Sequence, residues 1–158
     1  GENTSTKAIE KAKEIFKLSG YSIVTVNKEI DGFILNRLQG ALLNEAMRLY
    51  SEGYASSEDI DATIKDGLGL RWAFMGPFET IDLNAPGGIK DYMARYGSIF
   101  IEMAKSQTKI PDWSENAGKK LELERRKVLS EDDLEKRAKK RNFLLKQLRK
   151  LKIENDET

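Results

Sequence analysis

The chain has 158 residues, 39 % of them hydrophobic and 34 % charged, with a formal net charge of +1, enough apolar material for one domain with a modest core. It contains neither Cys nor His, which excludes disulfides, Cys or His metal ligands, a thiol nucleophile and the commonest general base from this sequence. No run approaches the roughly 18 apolar residues of a membrane span, and residues 1–6 lack the apolar core of a signal peptide, so a soluble, cytoplasmic helical protein is expected.

Residues 5–19 carry Ala8, Ile9, Ala12, Ile15, Phe16 and Leu18 at helical spacing, with Thr4, Ser5 or Thr6 as N-cap and Gly20 as the stop. Residues 21–26, Tyr-Ser-Ile-Val-Thr-Val, are rich in β-branched side chains and read as the one strand of the chain. A lone strand needs a sheet from elsewhere, so these first residues are expected to be the end of another domain. From Gly32, the apolar positions Ile34, Leu35, Leu38, Ala41, Leu42, Ala46, Met47, Leu49 and Tyr50 predict a long helix closed by Gly53.

Ser56 to Asp59 supply a cap and first-turn acids for a short helix through Ile60, Ile64 and Lys65 that stops at Gly67. Gly67 to Pro77, with Arg71, Trp72 and Phe74, then reads as a glycine-punctuated loop of the kind that lines sites, and Pro77 opens a helix over Phe78–Leu83. Gly87-Gly88 breaks the chain before a helix from Ile89 to Ser106, and Pro111 ends that part. Residues 114–129 and 130–153 predict two more helices, the second capped by Ser130 with Glu131, Asp132 and Asp133 in its first turn.

Candidate chemistry is sparse. Asn36 sits one turn into the long helix among Ile34, Leu35 and Leu38, so its amide is expected to be at least partly covered and in need of partners. Those partners are either neighbouring backbone or a substrate oxygen. Arg37 is most simply paired with an acid such as Glu45 or Glu79. Arg71, beside Trp72, either forks onto a carboxylate, stacks on a ring or makes a structural ion pair. Gly67, Gly69 and Gly76 are too irregular for a dinucleotide fingerprint or a phosphate loop, and Glu79, Asp82 and Asp91 lack metal-ligand spacing. Residues 119–152 hold 14 Lys and Arg against 6 Asp and Glu, interleaved with leucines, which reads as a packed helix with a solvated basic face rather than a nucleic-acid site.

The run Lys28-Glu29-Ile30-Asp31-Gly32-Phe33-Ile34-Leu35-Asn36-Arg37-Leu38-Gln39 resembles the C-terminal domain of the 3-hydroxyacyl-CoA dehydrogenase superfamily. So do Glu45-Ala46-Met47-Arg48-Leu49, Gly53-Tyr54-Ala55-Ser56, Glu58-Asp59-Ile60-Asp61 and Gly76-Pro77-Phe78-Glu79. Within it, the Gly67–Pro77 stretch and the basic extension are most similar to the branch holding lambda-crystallins and L-gulonate 3-dehydrogenase. The resemblance implies an all-α fold with one short N-terminal strand, residues 1–27 being the last helix and strand of an NAD-binding Rossmann domain. Residues 28–158 would be the helical substrate and dimerisation domain. It also implies that NAD and a catalytic His belong to the absent N-terminal domain, so that this chain by itself is inactive, and that Asn36 contacts substrate and that histidine.

The implied reaction is hydride transfer from the C3 carbinol of a hydroxy acid to NAD, in a homodimer without membrane or nucleic-acid partners. Sugar acids carry a free carboxylate, which Arg71 would hold bidentately. Two other readings stand beside this one: a 3-hydroxyacyl-CoA or carnitine dehydrogenase domain, and a non-catalytic, crystallin-like dimerisation module.

Overall fold

The computed structural model describes residues 3–155. It is helical, and its contacts divide it into two units, Gly1–Ala41 and Leu42–Thr158. No helix among the described residues is long and apolar enough to cross a membrane.

In the first unit, α1 (Thr6–Leu18) starts where the Ser5 hydroxyl accepts the Ala8 N–H at 3.2 Å. It ends in a left-handed turn at Gly20, φ +74°. There Gly20 N–H donates to the Lys17 carbonyl and Tyr21 N–H to the Phe16 carbonyl, the paired bonds that close a helix through a glycine. Phe16 and Tyr21 complete the turn with an edge-to-face ring contact, centroids 6.4 Å apart. Residues 21–26 form no strand, and no strand exists among the described residues. β-branched side chains favour extended backbone, but a strand is completed only by a ladder of hydrogen bonds to a neighbour, and these residues have none.

Helix α2 (Phe33–Ser51) runs from the first unit into the second and ends as α1 does. Gly53, φ +79°, closes it, with Gly53 N–H on the Tyr50 carbonyl and Tyr54 N–H on the Leu49 carbonyl. Helix α3 (Ser57–Ala62) opens under Ser56, whose hydroxyl accepts the Asp59 N–H at 3.1 Å and donates to the Asp59 carboxylate at 2.6 Å.

Gly67 does not stop this helix, contrary to the expectation from sequence. The chain continues through a π-helical turn, Thr63–Leu68, directly into α4 (Gly69–Trp72), so that the first part of the presumed Gly67–Pro77 loop is helix. Glycine costs a helix only about 1 kcal/mol, too little to end one whose neighbouring turns remain hydrogen-bonded. The true break comes after Trp72, where the Arg71 carbonyl accepts from both Phe74 and Met75.

Pro77 occupies the first position of α5 (Pro77–Leu83), where its missing N–H costs nothing. The corner into α6 (Gly88–Ser106) is built from two carboxylates. Asp82 accepts the Ile89 N–H at 2.6 Å, and Asp91 accepts the Gly87 N–H at 3.2 Å while pairing with Arg95 at 2.8 Å. Helix α7 (Glu115–Val128) is capped by Ser114, and a 3-10 turn, Glu131–Asp133, leads into α8 (Leu134–Asn155). On α8, Leu134, Phe143, Leu144, Leu145 and Leu151 are exposed, so the expected packed apolar face is not covered.

The buried residues are few: Met47, Ala85 and Ala117, with the polar Ser57 and Thr80. Thr80 satisfies its hydroxyl by donating to the Gly76 carbonyl one turn back, at 2.8 Å.

Candidate functional site

The segment before α2 is a turn in which Phe33 N–H donates to the Ile30 carbonyl at 3.0 Å. Gly32, φ +81°, takes the third position, the one that a type II turn reserves for residues tolerating positive φ. Phe33 follows with φ +48°, left-handed without being glycine, a conformation that costs about 1–2 kcal/mol. Strain of this kind is concentrated at sites where the surrounding structure or a ligand holds it. It stands three residues before Asn36.

The stems of Asn36 and Arg37 pass within 4 Å of where a Gly32 side chain would begin, so the turn and the two polar residues form one local cluster. Asn36 is exposed, not covered as its apolar neighbours led one to expect, because Leu35 and Leu38 beside it are exposed too. Its amide makes no hydrogen bond within the described residues and faces solvent. Arg37 is also exposed. Of the two acids proposed for it, Glu45 is held by Arg48, and Glu79 makes no ion pair with it among the described residues.

Arg71 belongs to the second unit, on the last turn of α4. Its guanidinium is exposed, with no carboxylate within ion-pair distance and no aromatic ring beneath it among the described residues. Both structural explanations raised by the sequence, ion pair and ring stacking, are therefore absent. Trp72 and Phe74 beside it are exposed as well.

The strongest polar cluster of the second unit is one that sequence reasoning missed. The Glu124 carboxylate, on α7, accepts both the backbone N–H and the hydroxyl of Ser57 at 2.8 Å, with the Tyr50 phenol nearby. Ser57 is buried, so its two donors depend on this one partner. The Ser57 bonds hold the Glu124 carboxyl below the usual carboxylate range, and burial followed by the influence of the nearby Glu124 carboxylate pushes the Tyr50 phenol up. Glu124 thereby pins the start of α3 to α7, and Arg125 adds an ion pair to Asp61 at 3.3 Å.

On the neighbouring side of α2, Arg48 bonds Glu45 through Nε at 2.9 Å and Glu52 at 3.2 Å, and lies 5.9 Å from the Tyr54 ring centre. The bond to Glu45 raises the Arg48 pKa, and Glu45 is correspondingly lowered. No single residue type in sequence marks these latches. Ser57 and Glu124 are 67 positions apart.

A shallow cleft of about 320 Å³ opens beside this cluster, with Met47, Tyr50, Asp112, Asn116 and Lys120 on its walls. Of its charged groups, Asp112 is engaged by the Ser114 N–H at 2.8 Å. No group of three or more acids among the described residues could hold a metal ion. Nor do the described residues form a dinucleotide cradle: no strand feeds a glycine loop, and Gly67 and Gly69 lie inside a helix.

A family model described as 3-hydroxyacyl-CoA dehydrogenase, C-terminal domain, matches residues 32–131, from the Gly32 turn to the end of α7 and just beyond. Lambda-crystallin from Oryctolagus cuniculus is 41 % identical over 151 residues, 94 % of this chain and 47 % of that protein. A lambda-crystallin homolog from Homo sapiens is 37 % identical over 118 residues, 75 % of this chain and 37 % of that one. L-carnitine dehydrogenase from Pseudomonas putida is 43 % identical over 98 residues, 61 % of this chain and 30 % of that enzyme. The chain thus spans about half the length, or less, of the curated relatives it matches.

Proposed function

The chain belongs to the 3-hydroxyacyl-CoA dehydrogenase C-terminal domain family, and from that premise we propose that it is the substrate-side and dimerisation domain of an NAD-dependent 3-hydroxy-acid dehydrogenase of the L-gulonate 3-dehydrogenase kind. Residues 28–158 form that domain in this reading, and residues 1–27 are the tail of a preceding NAD-binding domain. The match of the family model from residue 32 onward supports the division. NAD and the catalytic base are then supplied by that other domain, and this chain alone turns nothing over.

The observation that carries the reading is that Asn36 and Arg71, each within its own unit, have no protein partner among the described residues. Asn36 presents an amide beside a strained turn, and Arg71 presents an unpaired guanidinium on an exposed helix end. Asn36 is assigned to orient the oxygen of the hydroxyl being oxidised. Arg71 is assigned to fork onto the carboxylate of the acid, a group that a thioester lacks.

Dimerisation is supported by α6, which packs on α5 and leaves Met93, Ile99, Phe100, Ile101 and Met103 exposed on a domain with a small core. The Tyr92 ring meets those of Tyr96 and Phe100 on that helix, ring centres 4.8 and 6.2 Å away.

Carnitine is the second substrate reading, favoured by the 43 % identity to an L-carnitine dehydrogenase. Carnitine also carries a free carboxylate, so Arg71 separates both acids from a 3-hydroxyacyl-CoA but not from each other. The test is NADH formation by the full-length protein with L-gulonate, L-carnitine and a 3-hydroxyacyl-CoA at equal concentration. Oxidation of one of the acids and not of the thioester is expected. Replacing Arg71→Met should raise KM for the acid by about 10- to 100-fold, the worth of a charge-assisted pair, with kcat little changed. Turnover of the thioester alone would refute the carboxylate role.

A further inference from the structure

The π-helical turn Thr63–Leu68 interrupts a run that is otherwise α-helical over residues 57–72. In a plain α-helix Arg71 would share a face with Ile60 and Ile64, since positions 60, 64 and 71 fall on one helical stripe. That stripe is the partly covered one: Ile60, Ile64 and Leu68 are all half-buried. A π turn adds one residue, which rotates everything after it by about 100° relative to an unbroken α-helix. The rotation gives Arg71's place on that stripe to Trp72, and Arg71 is left exposed.

The turn closes when Gly69 N–H donates to the Ile64 carbonyl five residues back. A Cβ at Gly69 would lie 2.9 Å from that same carbonyl oxygen, a backbone atom that cannot swing aside as a side chain could. Gly67, inside the same turn, has open space where its Cβ would stand. The two glycines are therefore not equivalent. Gly69 is required by the geometry of the turn and Gly67 is not.

We propose that Gly69 is a positioning residue for Arg71: by admitting the π turn it keeps the guanidinium off the covered face of the helix and presents it to the substrate carboxylate. This rests on the reading of Arg71 given above. Gly69→Ala would push the turn back toward α-helix and carry Arg71 toward the Ile60–Ile64 face.

The test is a double-mutant cycle in the full-length protein, following NADH formation with the preferred hydroxy acid. Arg71→Met and Gly69→Ala should each raise KM by about tenfold or more with kcat nearly unchanged. The double variant should be no worse than Arg71→Met, because Gly69 acts only through the guanidinium. Gly67→Ala should leave both constants as they were. If Gly69→Ala does not fold, deleting Asp66 removes the extra residue without adding a Cβ and should give the same rise in KM. Arg71→Met raising KM while both Gly69→Ala and the deletion leave it unchanged would overturn the Gly69 inference alone. Full additivity in the double variant would do the same, since Gly69 would then act by another route. No effect of Arg71→Met would overturn the Arg71 reading, and the inference with it.

Discussion

The two units of this chain obey the same local rules and end in different states. Helices α1 and α2 are both closed by a left-handed glycine with paired N–H bonds, at Gly20 and Gly53. Yet every residue from 3 to 39 is exposed, whereas the second unit buries Met47, Ser57, Thr80, Ala85 and Ala117. Capping and propensity form a helix from its own sequence, but only side chains from another element can cover its apolar face. The second unit has such elements, tied together by Glu124, Asp82 and Asp91. The first unit has the apolar residues, Phe16, Ile34, Leu35 and Leu38 among them, without the cover.

Substitutions at the ties of the second unit should therefore dominate stability. Gly88 carries the largest expected effect. Its φ of +72° is left-handed, and a Cβ there would sit 2.8 Å from the Asp82 oxygen that holds the Ile89 N–H. Gly88→Ala should therefore cost about 1–3 kcal/mol, read as a lower urea midpoint at unchanged slope. A midpoint equal to wild type would show that the α5–α6 corner is not part of the cooperative core.

Ser57→Ala comes next, at about 1–2 kcal/mol for a charge-assisted bond lost in a buried position. The pH dependence follows from the same cluster. The Glu124 pKa is lowered in the folded chain, so the unfolded chain binds the extra proton first as pH falls. Its contribution is complete above the ordinary carboxylate range and is lost as pH drops through the lowered value. Tyr50 is raised, so its contribution is complete below about pH 10 and is lost as pH climbs through the raised value. Thermal melts should fall at both extremes, with Ser57→Ala reducing the acid loss and Tyr50→Phe the alkaline one, the latter at a cost of about 1 kcal/mol. An unchanged alkaline limb in Tyr50→Phe would show that its phenol is not a tie.

Much of this architecture was legible in the residues. The caps at Ser5 and Ser56, the stops at Gly20 and Gly53 and the first-position Pro77 are local devices, each written within a few residues of the end it fixes. The failures share a cause as well. Residues 21–26 have strand chemistry without a ladder. Asn36 has apolar neighbours that themselves lack cover. Gly67 looks like a stop but lies in a turn that continues. In each case the outcome depends on a partner or a register that composition does not encode. The Ser57–Glu124 bond is the extreme example, since 67 positions separate two residues that are individually ordinary.

The smallest expected effect sets one kind of cap against itself in the two units. Ser5 and Ser56 each accept the N–H three residues on, at 3.2 and 3.1 Å, and an N-cap of this kind is worth about 1 kcal/mol to the helix it starts. Ser56→Ala should transmit that loss to global unfolding, because α3 is pinned to α7 through Ser57 and cannot fray without breaking the Glu124 bonds. Ser5→Ala should not. Helix α1 is exposed along its whole length, so it can fray at little cost to anything else, and the loss should appear as reduced helical circular dichroism with a midpoint shift below about 0.5 kcal/mol. Equal midpoint shifts in the two variants would mean that α1 unfolds together with the second unit, and the distinction between a tied and an uncovered region would fail.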